Sequence, residues 1–293
     1  MTLAHANPES AGSEPDLPVA LRQWLREQAQ AGYSREVVQH SLLQAGWQAA
    51  LVQQALRSEW DEPLPSQAAQ MPAAPQRLPA LSHHGHATRL DLGDRQVAVV
   101  ARLSRPTVAV LGDLLGADEC AALIAAARPR LARSLTVDTQ TGGEALNPDR
   151  TSQGMFFRRG ESPLIARIEA RIARLLNWPV DHGEGLQVLR YGVGAEYKPH
   201  YDYFDPVHPG SASVLRRGGQ RVATLVMYLN QPEQGGATVF PDAGLAVSPV
   251  PGHAVFFSYD RPHPSTATLH GGAPVLQGEK WVATKWLREQ VFE

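Results

Sequence analysis

In the stretch Tyr197-Lys198-Pro199-His200-Tyr201-Asp202-Tyr203 a histidine and an aspartate stand two residues apart. On a β-strand that spacing points both side chains to one face and turns Tyr201 to the other, so an imidazole and a carboxylate converge on one interior. Such a pair can grip one metal ion, but a lone His-x-Asp is common by chance and needs a third ligand from elsewhere in the chain. His270, within Thr268-Leu-His-Gly-Gly272, is the candidate. Two imidazoles and one carboxylate leave three adjacent coordination positions open, an arrangement suited to ferrous iron that must take oxygen and a cosubstrate together. Structural zinc sites are instead closed by four ligands, commonly including cysteine.

Downstream of His270 lies Lys280, in Gly278-Glu-Lys-Trp-Val-Ala-Thr-Lys-Trp286. If this strand runs beside the metal strands, its ammonium enters the same interior, where a buried cation must find an anion. A dicarboxylate cosubstrate would supply one.

Outward from these motifs the chain reads as α+β. Strand-like runs are expected at Gln96–Leu103, Thr107–Leu111, Leu186–Tyr191, Tyr197–Tyr203, Arg221–Asn230, Ala237–Phe240, Leu245–Val247, His253–Tyr259, Ala267–His270 and Trp281–Leu287, with helices at Ala117–Leu131 and Pro163–Leu176. Many short strands after a helical lead-in suggest a barrel or jelly roll rather than alternating βαβ units. Residues 18–60 form a small helical module in three short pieces around Trp24, Leu42 and Trp47, weakly similar to ubiquitin-associated modules and a candidate site for a protein partner. Residues 1–17 are expected to be disordered. Residues 61–88, rich in Pro, Ala and Gln, read as an extended linker, and its His83, His84 and His86 as incidental surface histidines. The rest, 89–293, is one domain.

Composition narrows the function. The 293 residues are 43% hydrophobic and 19% charged, the balance of a folded globular chain, and the net charge of −2 gives no global attraction to nucleic acid or an anionic membrane. A single cysteine, Cys120, excludes an intrachain disulfide and fits a reducing compartment. The first residues lack the basic start and apolar core of a secretory signal, and no apolar run approaches membrane-spanning length, so a cytoplasmic protein is expected.

Residues from about 107 to 286 resemble the prolyl 4-hydroxylase family of 2-oxoglutarate and iron(II) dioxygenases. The resemblance runs through Asp149-Arg-Thr-Ser-Gln-Gly-Met155, Gln187-Val-Leu-Arg-Tyr191, Tyr197–Tyr203, Gly219-Gln-Arg-Val-Ala-Thr-Leu-Val-Met-Tyr-Leu229, Gly235-Gly-Ala-Thr-Val-Phe-Pro241, Leu269-His-Gly-Gly-Ala-Pro-Val275 and Gly278–Trp286. It implies a double-stranded β-helix, a distorted jelly roll with flanking helices. It also implies that His200, Asp202 and His270 ligate Fe(II), and that Lys280 holds the distal carboxylate of 2-oxoglutarate with help from Tyr191 and Thr238. Tyr197, Arg150, Arg221 and Trp286 match positions that line the substrate side of the pocket. The activity implied is hydroxylation of peptidyl proline by O2, with 2-oxoglutarate decarboxylated to succinate and L-ascorbate rescuing oxidised iron.

Where relatives often carry an aspartate five residues before the distal histidine, this chain has Ser265. His263 is close enough to rival His270 but lacks the Leu-His-Gly-Gly setting. The lone cysteine separates the chain from disulfide-bearing animal collagen enzymes and favours a bacterial-type, stand-alone enzyme. Competing readings are a 2-oxoglutarate oxygenase acting on a free amino acid or demethylating nucleic acid, and an idle adaptor working through its N-terminal helices. Nucleic-acid demethylases use arginine where Lys280 stands, and an intact triad argues against the adaptor.

Overall fold

The computed structural model describes residues 35–44, 47–60, 77–81, 87–138 and 141–293, together with five helical positions between Leu21 and Gln28. His83, His84 and His86, the first 17 residues and most of the proline-rich stretch lie outside the described residues. The chain divides into two compact units, 1–70 and 71–293.

In the first unit, helices Arg35–Gln44 and Ala49–Trp60 close on a small core of Leu21, Leu25, Val38, Leu42, Val52, Ala55 and Leu56. Trp24 and Trp47, expected at its centre, pack against it half-buried.

In the second unit, nine described strands form one antiparallel sheet. Its order is Arg89–Asp91, Gln96–Leu103, Thr107–Gly112, Ala254–Ser258, Arg221–Tyr228, Lys280–Arg288, Leu186–Tyr191, Gln153–Phe157 and Ala132–Arg133. A four-stranded sheet is ordered Leu245–Val247, Thr238–Phe240, His270–Gly272, Tyr197–His200. Because side chains alternate along a strand, each central strand of the large sheet feeds two cores. Ala223, Leu225, Met227, Trp281, Ala283, Ala254 and Phe256 face the first, which includes Leu123 and Cys120 of helix Ala117–Ala127 and Ile165, Ile168 and Ile172 of helix Pro163–Leu176. Tyr228, Val282, Val255, Phe257, Leu189 and Tyr191 face the second, together with Phe240 and Val247 of the small sheet. Helices on one face and a second sheet on the other make the double-stranded β-helix.

Local signals place the helices. Ser162 accepts the Ile165 N–H and Pro163 opens the second helix at a position where its missing N–H costs nothing. Asn177 ends it in the left-handed region at φ 49°. The first helix stops at Ala127 rather than Leu131, because Pro129 falls in a 3₁₀ turn over Arg128–Arg130. The strand begun at Tyr197 ends at His200 instead of Tyr203. The distal strand runs His270–Gly272 rather than Ala267–His270, since Pro264–Thr266 forms a 3₁₀ turn and Ala267 takes φ 54°. None of the described helices is long and apolar enough to cross a membrane.

The supposed linker 61–88 is in part packed structure. Leu78 and Leu81 lie against the first core, the Ala80 N–H donates to Leu176 O at 3.1 Å, and the Arg77 guanidinium covers the Trp178 ring. A proline-rich segment needs no ladder partner to bury apolar side chains, which its composition conceals. A chain beginning at Arg77 is therefore expected to melt with the intact second unit, whereas one beginning at Arg89 loses about 2 kcal/mol of apolar burial and melts roughly 4–8 °C lower by calorimetry.

Candidate active site

His200 and His270 face each other in register across the two strands that carry them. Each imidazole is oriented by its own chain. His200 Nδ1 lies 2.8 Å from Lys198 O and His270 Nδ1 lies 3.0 Å from Thr268 O, in both cases the carbonyl two residues earlier. A carbonyl only accepts, so both Nδ1 atoms carry the proton and both Nε2 atoms present lone pairs to the interior. Between them sits the Asp202 carboxylate, with Oδ1 3.6 Å from His200 Nε2 and Oδ2 3.4 Å from His270 Nε2. Asp202 follows the end of the strand, yet its carboxylate still meets His200, so the two-residue spacing works without regular pairing at the second position.

The three ligand atoms lie within 4.8 Å of one another, and theirs is the single such cluster among the described residues. Ligands about 2.1 Å from one ion at right angles would stand about 3 Å apart, so only a small contraction is needed and the donor set fits ferrous iron. Burial opposes charge on Asp202, but the two histidines hold its carboxyl well below the usual range. Burial, with His270 beside it, pushes the His200 imidazole down and keeps it a neutral ligand. Tyr197 stacks on His200 at 3.6 Å, and Phe257 packs 4.4 Å from the His270 ring. His263, the rival, is engaged elsewhere: its Nδ1 accepts the Ser265 N–H and caps the 3₁₀ turn.

Lys280 stands opposite Tyr191 in the ladder, on the face directed at the second core, and is only 3% exposed. Its ammonium lies 5.4 Å from the Tyr191 ring and 5.9 Å from the Tyr228 ring, and no carboxylate partner is found for it among the described residues. Burial alone pushes its pKa down to about 8. Gly236 and Gly272 border the side chain. A Cβ at Gly236 would come 3.2 Å from Lys280 Cδ, and one at Gly272 would come 3.8 Å from Nζ. Beside it the buried Tyr228 hydroxyl donates to Thr238 Oγ1 at 2.8 Å, so the Thr238 proton remains to be given to an acceptor. An unpaired buried ammonium next to a directed hydroxyl in a glycine-bordered space has the chemistry to receive a carboxylate.

The remaining residues singled out from the sequence gather around the triad, but their polar groups are partly committed. Arg150 donates to Gln187 Oε1 at 2.8 Å and Leu135 O at 3.2 Å and lies 5.0 Å from the Tyr197 ring. Arg221 grips both oxygens of Glu184, at 2.6 and 2.9 Å, and its guanidinium stacks 4.0 Å over Trp286. Arg150 Nε and Trp286 Nε1 are buried donors without a hydrogen-bond partner.

Four participants escape a reading of the sequence: Tyr228, Thr224, Tyr259 and Glu184. Thr224 Oγ1 donates to Asp202 Oδ2 at 2.7 Å and lies 3.1 Å from the Tyr259 hydroxyl. Three of them stand in or beside strands buried on both faces, where a threonine or tyrosine looks like core. The one available signal was parity, since Thr224, Val226 and Tyr228 share a face.

The profile of the 2OG-Fe(II) oxygenase superfamily matches residues 186–288. A probable prolyl 4-hydroxylase 3 of Arabidopsis thaliana is 42% identical over 204 residues, covering 62% of this chain and 69% of that protein. Prolyl 4-hydroxylase 1 of the same plant is 44% identical over 202 residues, covering 63% and 70%. Among solved structures, the viral collagen prolyl hydroxylase of Paramecium bursaria Chlorella virus-1, as its 2OG complex, shares 30% identity at a TM-score of 0.48, covering 62% of this chain and 95% of that one.

Removing a ligand imidazole should leave the cluster unable to hold iron. His200→Ala and His270→Ala are each expected to weaken Fe(II) binding more than the ~100-fold ceiling typical of outer-sphere changes, read by anaerobic metal titration. His263→Ala should leave it unchanged.

Proposed function

The chain belongs to the prolyl 4-hydroxylase family of 2-oxoglutarate and iron(II) dioxygenases, and on that footing we propose that it hydroxylates proline within a peptide or protein substrate. The observation that carries the proposal is Lys280, a buried ammonium with no carboxylate partner among the described residues, whose Nζ would stand 3.8 Å from a Cβ at Gly272 in the strand that carries His270 of the His200, Asp202 and His270 cluster. Bound iron with 2-oxoglutarate and O2 supplies the oxidising chemistry, in which one oxygen atom enters a substrate C–H bond and the other leaves in succinate as CO2 is released.

The protein's own groups do the rest. The Nε2 atoms of His200 and His270 together with Asp202 would hold the metal, and Lys280 would neutralise the distal carboxylate of 2-oxoglutarate. Thr238, its oxygen already accepting from Tyr228, donates a second contact to that carboxylate, and the Tyr191 ring closes the side. Leu189, Val282 and Phe257 line the surroundings with apolar surface, which excludes water and strengthens each polar contact. Tyr197 and Trp286 offer flat apolar faces on which a prolyl ring can pack. Arg221, clamped by Glu184, fixes the Trp286 plane.

We extend the proposal to L-ascorbate as the reductant that restores oxidised iron, to a cytoplasmic setting compatible with the lone, buried Cys120, and to a protein partner for the N-terminal helices. Purified protein with Fe(II), 2-oxoglutarate and ascorbate is expected to convert proline-containing peptides to products about 16 Da heavier, one oxygen atom, with matching succinate. Turnover of no peptide in a proline-rich pool would sink the prolyl assignment.

The protonation state of Lys280 adds a pH signature. The cosubstrate carboxylate needs the ammonium, which is present below the depressed pKa of about 8 and lost above it. The KM for 2-oxoglutarate should therefore be flat below pH 8 and rise toward tenfold per unit above it. Lys280→Met should raise that KM at least ~30-fold at pH 7, about 2 kcal/mol or more, and abolish the pH dependence.

A further inference from the structure

We propose that Thr224 and Tyr259 form a positioning relay that holds Asp202 as a one-oxygen metal ligand; the inference rests on reading the His200, Asp202 and His270 cluster as the iron site. Thr224 is 0% exposed and Tyr259 2%, so neither hydroxyl has bulk water as a partner. Thr224 Oγ1 lies 2.7 Å from Asp202 Oδ2 and 3.1 Å from the Tyr259 hydroxyl. The direction of both bonds follows from the count of protons. A ligating carboxylate only accepts, so the one proton of Thr224 goes to Oδ2, and Tyr259 must then donate to Thr224. The relay runs one way, from Tyr259 through Thr224 to Asp202.

Its consequence concerns coordination number. A carboxylate with both oxygens free can swing to bind through both and fill a position that an oxygenase must keep open. Thr224 occupies a lone pair of Oδ2, which also lies 3.4 Å from His270 Nε2, and leaves Oδ1, 3.6 Å from His200 Nε2, as the oxygen without a hydroxyl donor to take the metal. The scaffold makes the placement rigid. Thr224 pairs with Phe257 on one side and Trp286 on the other in the middle of the large sheet, and the Tyr259 N–H donates to Val222 O. Tyr259 thus anchors the relay from the strand next to the one carrying Thr224, while Asp202 comes from the irregular segment after the small sheet. A fixed hydroxyl on the rigid sheet compensates for the missing strand pairing at Asp202.

The experiment uses the full-length protein without cosubstrate and reads metal binding rather than turnover. Fe(II) affinity is measured anaerobically, and the Co(II) absorption spectrum reports the coordination geometry. Thr224→Val, which keeps the shape and removes the hydroxyl, is expected to weaken Fe(II) about 10- to 100-fold, the range of an outer-sphere loss, and to change the Co(II) band pattern. Thr224→Ser restores the hydroxyl and should recover both readouts. Tyr259→Phe leaves the Thr224 contact but not its support, and should fall between wild type and Thr224→Val. If Thr224→Val does not fold, Tyr259→Phe decides: wild-type affinity and spectrum in that variant overturn the relay. In a folded Thr224→Val, wild-type affinity with an unchanged spectrum likewise overturns it. His200→Ala separates the two levels, because retained Fe(II) affinity there would overturn the iron-site reading itself.

Discussion

The alternation of the Lys280–Arg288 strand is the constraint on which the rest of the second unit depends. Paired on both sides and buried along its whole length, it sends Lys280, Val282, Thr284 and Trp286 toward one core and Trp281, Ala283, Lys285 and Leu287 toward the other. A slip of one residue would deliver an indole where the ammonium stands and an ammonium into the helix-facing core. Register here is therefore set by chemistry as well as by packing. On the helix-facing side Lys285 donates to Glu169 Oε1 and to the Glu184 carbonyl, so its charge is met within the fold.

That comparison explains what is special about Lys280. Glu184 binds Arg221 and Arg288, Glu119 binds Arg171, and Glu169 binds Lys285, each a buried cation matched to a buried carboxylate. Such pairs roughly offset the cost of dehydrating their charges and fix the geometry of what touches them. Arg221 is the clearest case, since the carboxylate that neutralises it also sets the plane of its guanidinium over Trp286. Lys280 differs from them in having no carboxylate partner among the described residues, only the Tyr191 and Tyr228 rings, so burial acts on it unopposed and pushes its pKa down to about 8. On the proposed reading, the anion that would offset that cost arrives with the cosubstrate.

Much of this was legible in the sequence, for reasons that differ from residue to residue. His200 and Asp202 share a face even though the strand stops at His200, because an extended step of two residues preserves direction without ladder hydrogen bonds. Helix Pro163–Leu176 was readable to the residue from the spacing of Ile165, Ile168 and Ile172, and the structure adds its Ser162 cap. Tyr228 and Thr224 were hidden because Arg221–Tyr228 is apolar on both faces, which erases the period-two pattern that would mark one face as special. The packed stretch around Leu78 and Leu81 was hidden by its prolines. Glu184 was hidden because an ion pair that links distant segments leaves no local spacing to find.

The two halves of the site are prepared differently. The proposed metal half is oriented in advance: both imidazoles are held by their own backbone carbonyls and Asp202 by Thr224, so an ion would need only a small contraction of the three ligands. The cosubstrate half is electrostatically incomplete, with a cation depressed by burial and a Thr238 proton waiting for an acceptor. On the proposed reading, the far carboxylate of a bound dicarboxylate would pair with the Lys280 ammonium, and the His200, Asp202 and His270 cluster would hold the metal that takes its near end. A monocarboxylate of the same size would engage only one end and leave the other cost unrelieved. On that reading the demand for two negative ends comes from pairing a pre-oriented ligand cluster with an unfinished salt bridge, and the register of Lys280 opposite Tyr191 is what holds the ammonium in its place.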